Sequence, residues 1–249
     1  MKVIYVLWLR QLKRYLRSKT RIIGSLGQPL LFLIALGFGF GPIYAKAGGG
    51  DYIQFLAPGI IAMSIIFTAI FMGIEIIWDR QFGFLKETLV APVSRFKIMI
   101  GRTLGGATVA VLQGVVVLIL SLFAGFRPVN LWTLPLALVF MALIALMFTA
   151  LGTAIASRME DMHGFQLIIN FLIMPLFFLS GAIFPLNNGV PKAIEIVAKL
   201  NPLTYGVDGL RDTLVFSVNT GTAFNLVILS AVTLVFLVIG SLLFSKLQV

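Results

Sequence analysis

Long apolar runs separated by short polar ones set the architecture of this chain. Six stretches, 22–44, 55–77, 103–124, 131–156, 165–184 and 224–244, are mostly apolar. Each reaches the roughly 20 residues a helix needs to cross a hydrocarbon core. Glu75 is the only charged residue inside them. Ahead of them, Tyr5, Trp8, Leu9, Leu12 and Leu16 recur at spacings of three and four, with Arg10, Lys13, Arg14, Arg17 and Arg21 on the other side. That period predicts an amphipathic helix over 1–21. Its basic and aromatic faces suit the interface of an anionic leaflet; packing beside a partner is the other reading. Before the last run, residues 185–219 carry Pro185, Pro191 and Pro202 and an Asn187–Asn188–Gly189 turn signal. The helical patterns there, 191–199 and 206–216, are too short to span, which predicts an outer re-entrant helix pair. The expected fold is one all-α membrane domain over 1–249: six transmembrane helices, an N-terminal interfacial helix and the re-entrant pair.

Composition agrees with a membrane class. Of 249 residues, 59% are hydrophobic and 11% charged, and the mean hydropathy is +1.05. A soluble domain carries roughly 25% charged residues. The net charge of +10 reads as basic loops on one side of a membrane rather than as a nucleic-acid surface. With the N-terminus inside, 14 Lys and Arg residues fall on the inner segments and five on the outer ones. The asymmetry predicts a multi-pass protein of the cell membrane with both termini cytoplasmic. The start does not read as a signal peptide, because its basic residues follow the first apolar run. The absence of cysteine excludes disulfides and thiolate chemistry.

The longest charged interruption is 78–102, with Asp79, Arg80, Lys86, Glu87, Arg95, Lys97 and Arg102. It reads as a folded cytoplasmic surface that a soluble partner grips. Phe82, Phe84, Leu85 and Leu89 would supply apolar contacts, and Lys86, Glu87 and Arg95 would fix register. Packing back on the bundle is the alternative.

Little catalytic chemistry is available. No GxxxxGK[ST] phosphate loop is present, so ATP binding of that kind is not expected in this chain. Gly37, Gly39 and Gly41 lie in an apolar run and read as helix packing. His163, the sole histidine, reads as a solvated loop residue, without partners at metal-ligand spacing. Glu75 is either hydrated at the interface, paired with a cation such as Arg80, or a gating contact. Gln113 and Asn170 are polar residues deep in apolar runs, suited to interhelical hydrogen bonds. Pro175 should kink its helix, so Asn170 and Pro175 either line a path or pack the bundle. Gly101 and Gly105 form GxxxG, which permits close backbone approach to the same bundle or to a second copy.

Two stretches resemble the permease subunits of ABC transporters of the ABC-2 type, especially the drug-resistance (daunorubicin-type) and nodulation-protein exporters. The first is DRQFGFLKETLVAPVSRFKIMIGR, through Asp79, Arg80, Gly83, Leu89, Pro92, Ser94, Arg95, Gly101 and Arg102. Gln81 stands where many members carry glutamate. The second is FFLSGAIFPL followed by LNPLTYGVDGLRDTL, through Ser180, Gly181, Pro185, Asn201, Pro202, Leu203, Thr204, Tyr205 and Arg211. The resemblance implies a non-enzymatic permease. It would work as a homodimer with two copies of a separate ATPase subunit that binds MgATP, with no cofactor in this chain. Phe82 to Pro92 and Arg95 would then form the ATPase-coupling segment, and Asn201, Pro202, Tyr205 and Arg211 would close the outer end. A hydrophobic or amphipathic cargo (drug, lipid or lipid-linked glycan) fits the 22 phenylalanines. A nucleotide-independent carrier or channel is the alternative.

Overall fold

A computed structural model describes residues 2–48, 50–90, 92–186, 191–216 and 218–245; the side chains of Lys86 and Leu89, and the Asn187–Asn188–Gly189 turn, lie outside that description. The described residues form helices and no strands. In chain order they are α1 Lys2–Arg17, α2 Lys19–Lys46, α3 Tyr52–Phe71, α4 Ile74–Gln81, α5 Phe84–Val90 and α6 Arg95–Phe123. There follow α7 Leu134–Ala156, α8 Met162–Phe178, α9 Lys192–Leu200, α10 Pro202–Leu214 and α11 Thr220–Ser245.

Among the described residues, five helices are long and apolar enough to cross a membrane: Lys19–Lys46, Tyr52–Gln81, Arg95–Phe123, Leu131–Ala156 and Thr220–Ser245. The remaining apolar run yields only the 17-residue α8, about 25 Å at 1.5 Å per residue, rather than a helix to 184. Beyond it the chain turns, and Ser180, Ala182 and Ile183 are buried. Non-helical backbone is tolerated at membrane depth only where protein covers it. Here α3 provides that cover: Tyr52 donates its hydroxyl to the Ile183 carbonyl at 3.0 Å, and Gly59 abuts the Ala182 backbone.

The central element is α3. In its most apolar window 78% of residues are buried, against 17% for α2 and α11. It packs on α2, α6 and α7, while α11 packs on α7. Leu56, Ile60, Ile61 and Ile65 form the core with Phe140, Met141 and Phe148 of α7. Between α3 and α4 the helix breaks at Met72 and Gly73, where α7 crosses. A Cβ on Gly73 would strike the Gly152 carbonyl, and one on Gly152 would meet the Ile70 carbonyl oxygen at 2.5 Å. The two glycines let the backbones touch. Of the 37/39/41 glycines, only Gly37 meets a neighbour, Ile53; the other two face open space within this chain.

The charged interruption is mostly helix rather than loop. The second span continues to Gln81 and the third begins at Arg95, so only 82–94 connects them. Gly83, at φ +80, reverses the chain there, a conformation that glycine adopts without a Cβ clash.

These contacts make Gly152→Ala destabilising by about 1–3 kcal/mol, because the α7 backbone must move. Gly39→Ala should be neutral or up to about 1 kcal/mol stabilising through helix propensity. Thermal unfolding of the two purified variants in detergent tests the contrast. A Gly152→Ala protein as stable as the parent would contradict the crossing.

Candidate functional site

One end of the bundle gathers α1, the start of α2, α4, α5, the start of α6 and the turn before α8. Within it lie two nearly inaccessible carboxylates, Glu75 at 1% and Asp79 at 4% exposure. They stand four residues apart on α4 and so share one face. Asp79 meets Arg10 at 3.0 Å, Arg14 at 3.8 Å and the buried Arg102 of α6 in a close ion pair. Glu75 meets Arg21 at 2.8 Å and Arg14 at 3.7 Å. Arg14 thus spans both acids. Glu75 pairs with α1 and α2, not with Arg80, which instead donates to the carbonyls of Met159 and Ser157 and holds the turn before α8.

The GxxxG of α6 explains how α1 reaches these acids. A Cβ on Gly101 would lie 3.0 Å from Leu7 Cβ, and one on Gly105 would lie 2.7 Å from Gln11 Cβ. The motif is therefore a seat for α1, which buries Leu7, Gln11 and Tyr15. Two hydrogen bonds fix the register: Trp8 Nε1 to Thr108 Oγ1 at 2.9 Å, and Tyr15 OH to Gln113 Oε1 at 2.5 Å. Gln113 thereby makes the interhelical bond its position suggested. Tyr5, Val6 and Leu16 remain exposed; the helix ends at Arg17 rather than at 21, and Arg21 belongs to α2. The arginines of α1, however, serve buried acids rather than a lipid surface alone.

Of the coupling residues expected on 82–95, Phe82 and Phe84 are 76% and 53% exposed, and Val90 joins them at 84%. Glu87, Pro92 and Arg95 are also exposed. Leu85 turns inward and is fully buried in the core, so it seats α5 rather than offering a contact. The Arg10 guanidinium lies 5.2 Å from the Phe84 ring centroid, a cation–π contact, and the Arg14 guanidinium lies 5.4 Å from the Trp78 ring centroid. Arg95 donates to the Ser245 carbonyl at the end of α11, 2.8 Å away. The short helix α5 is thus keyed to the charge cluster through Arg10. At the neighbouring turn, Asp161 caps α8 by accepting from the Gly164 and His163 amides. These bonds hold its carboxyl below the usual carboxylate range. The cap is therefore complete above that range and is lost as the pH falls through the lowered value. His163 is exposed, and among the described residues no metal-binding cluster occurs.

At the opposite end, α9 and α10 are locked together by the NPLTY motif. Asn201 caps α10 by accepting from the Leu203 amide at 3.0 Å and donates to Leu176 of α8 at 2.6 Å. Pro202 occupies the first turn of α10, where its missing N–H has no role. Thr204 and Tyr205 donate back to the α9 carbonyls of Ala198 and Lys199, each at 2.7 Å. Arg211 packs over Phe55 at 4.0 Å, pairs with Asp208 at 3.2 Å and donates to the Gly181 carbonyl at 3.1 Å. The motif thus ties the hairpin to α3 and to the turn after α8. Asn170 and Pro175, by contrast, sit on the exposed side of α8.

A family model described as ABC-2 type transporter matches residues 2–215. The chain belongs to the ABC-2 type transporter family. It is 31% identical over 258 residues to a putative transport permease ycf38 of Cyanophora paradoxa, covering 95% of this chain and 84% of that one. It is 31% identical over 196 residues to nodulation protein J of Rhizobium leguminosarum bv. viciae, covering 78% and 74% of the two chains. Nodulation protein J of Rhizobium meliloti is 30% identical over 193 residues, covering 76% of this chain and 72% of its own. Membership makes this a multi-pass transmembrane permease of an ABC transporter, a family whose permeases normally work with an ATPase subunit. In this ABC-2 permease both resembling stretches fall at helix junctions, one at each end of the bundle.

Arg102 is 4% exposed, and truncating one partner of a buried ion pair costs roughly 3–5 kcal/mol. Arg102→Met should therefore destabilise the permease strongly. Arg10→Gln, at a guanidinium 36% exposed, should cost about 1 kcal/mol or less. Urea unfolding in detergent separates them; equal losses would mean that Asp79 does not depend on Arg102.

Proposed function

We propose that the chain is the permease half-unit of an ATP-driven exporter, with α5 as the element its ATPase partner pushes. The observation that carries this reading is the exposed apolar surface of Phe82, Phe84 and Val90 beside a helix anchored to buried charge. A soluble-facing end that displays such a patch, and that contains no phosphate loop, suits a partner that binds MgATP itself. The basic segments gather at this same end, which supports a cytoplasmic placement of it and of both termini in the cell membrane.

Two identical permeases with two ATPases complete the assembly. Its support lies in α8, which packs on α3 and α4 through one face. It leaves Leu167, Phe171 and Asn170 outward. A polar Asn on the outer face of an apolar helix is costly against lipid and suits a second copy or a path between copies. The hairpin α9–α10, about 14 Å and 20 Å long at helical rise, closes the outer end. The cargo is a hydrophobic or amphipathic molecule (a drug, lipid or lipid-linked glycan) moved outward.

The double variant Phe82→Asp, Val90→Asp changes only exposed positions, so the fold should persist. Co-purification with its ATPase partner should fall at least ten-fold, and ATP-dependent transport should be lost. Undiminished co-purification by a folded variant would refute the docking surface, and cargo movement by the chain alone in liposomes would favour a carrier.

A further inference from the structure

A cleft of about 730 Å³ opens beside the charge cluster, between the α1–α2 elbow, α3–α4 and the start of α8. On the α3 side it is lined mainly by apolar Met63, Phe67 and Phe71, with Ser64 and Thr68 among them, which form its floor; the α1–α2 side supplies the polar rim, with Arg14, Arg21 and Ser25. The rim carries surplus positive charge. Arg10, Arg14, Arg21 and Arg102 face only two carboxylates, Glu75 and Asp79. The two nearest the cleft, Arg14 and Arg21, share Glu75 and keep 38% and 28% of their side-chain surface open. The lining residue Gly24 neighbours Ile23, which is 70% exposed on the same helix. The rim therefore adjoins an apolar surface that in a membrane protein meets hydrocarbon. A soluble anion would leave the apolar floor unfilled, and a neutral lipid would leave the cations unanswered.

We propose that this cleft holds an anionic phospholipid of the surrounding leaflet. Its phosphate sits against Arg14 and Arg21, where charge-assisted hydrogen bonds are strongest, and an acyl chain lies over Met63, Phe67 and Phe71. The bound lipid neutralises the surplus of the cluster and braces the elbow at Ser18, where the backbone leaves helical torsions at φ −98, ψ 80. The inference rests on the membrane placement of the chain and is independent of the transport reading.

Native mass spectrometry of the full-length permease, with 16:0–18:1 phosphatidylglycerol or phosphatidylcholine added to detergent, tests it. The parent should retain phosphatidylglycerol about ten-fold better than phosphatidylcholine, roughly 1.4 kcal/mol of preference. Arg14→Gln, Arg21→Gln should erase that preference. Lys13→Gln, Arg17→Gln, which removes the same charge from exposed positions of α1 outside the cleft, should leave it intact. A Cβ at Gly24 meets nothing within 4 Å, so Gly24→Leu adds bulk at the rim while keeping every arginine, and should reduce retention of both lipids. It keeps the test decisive if the arginine variant fails to fold. Four results would overturn the site: an undiminished preference in the arginine variant, full retention by Gly24→Leu, an equal loss in the Lys13 and Arg17 control, or equal retention of glycerol phosphate added alone.

Discussion

Two carboxylates with almost no access to solvent, Glu75 and Asp79, depend on arginines that other helices must deliver. Desolvating a charge costs several kcal/mol unless a partner stands close. The chain meets that constraint by bringing α1, α2 and α6 to one face of α4. The placement of α1 follows, because Arg10 and Arg14 reach their acids only if the helix lies in the GxxxG seat of α6. The placement of α5 follows in turn, because Phe84 stacks with Arg10 and Leu85 closes the core beneath it. An apolar seam would hold these helices with less specificity of register; ion pairs at spacing four on both α1 and α4 define one alignment.

The two ends of the bundle are built by different means. The basic end is joined by charge between long helices and leaves a cleft open. The other end is joined by caps and carbonyl bonds: Asn201 to α8, Thr204 and Tyr205 to α9, and Arg211 to the turn after α8. Between them α3 is buried nearly throughout, whereas α8 buries one face along its length, through Phe165, Ile169, Ile173 and Phe177, and shows an apolar outer face with Asn170 in it. A central helix buried on nearly all sides, beside a neighbour bound along one face, is an arrangement in which force applied at one end can shift a span relative to its fold.

Much of this was legible beforehand. Apolar run length placed five spanning helices, four of them within four residues at each end, because uncharged runs of about 20 residues have few other uses; the third begins eight residues early, at Arg95, because charged residues extend the helix beyond its apolar run. Pro202 and the Asn201 cap marked the α9–α10 break, since the residue before proline leaves helical torsions. The fifth run, 165–184, ends its helix at Phe178, because hydropathy cannot distinguish a helix from a buried turn that is equally apolar. The arginines of α1 were assigned to the leaflet because periodicity reports a face without naming what it meets. The signal that was missed is a matched spacing: acids at 75 and 79, arginines at 10 and 14, and Arg102 beside GxxxG. Likewise Leu85 and Phe84 read alike in sequence, and only the turn at Gly83 decides which of them faces inward.

The absence of cysteine allows the central claim, that α1 and α5 move as one body through Asp79, to be measured directly. Spin labels at Lys13→Cys and Glu87→Cys, the latter exposed on α5 and outside the Phe82, Phe84 and Val90 patch, report the α1–α5 distance by double electron–electron resonance in the complex with its ATPase, with labelled permease diluted into unlabelled, with and without trapped ATP. A single narrow distance, unchanged by nucleotide and broadened by Asp79→Asn, is the predicted result. A distance that changes with ATP in the parent, or that Asp79→Asn leaves narrow, would contradict the account.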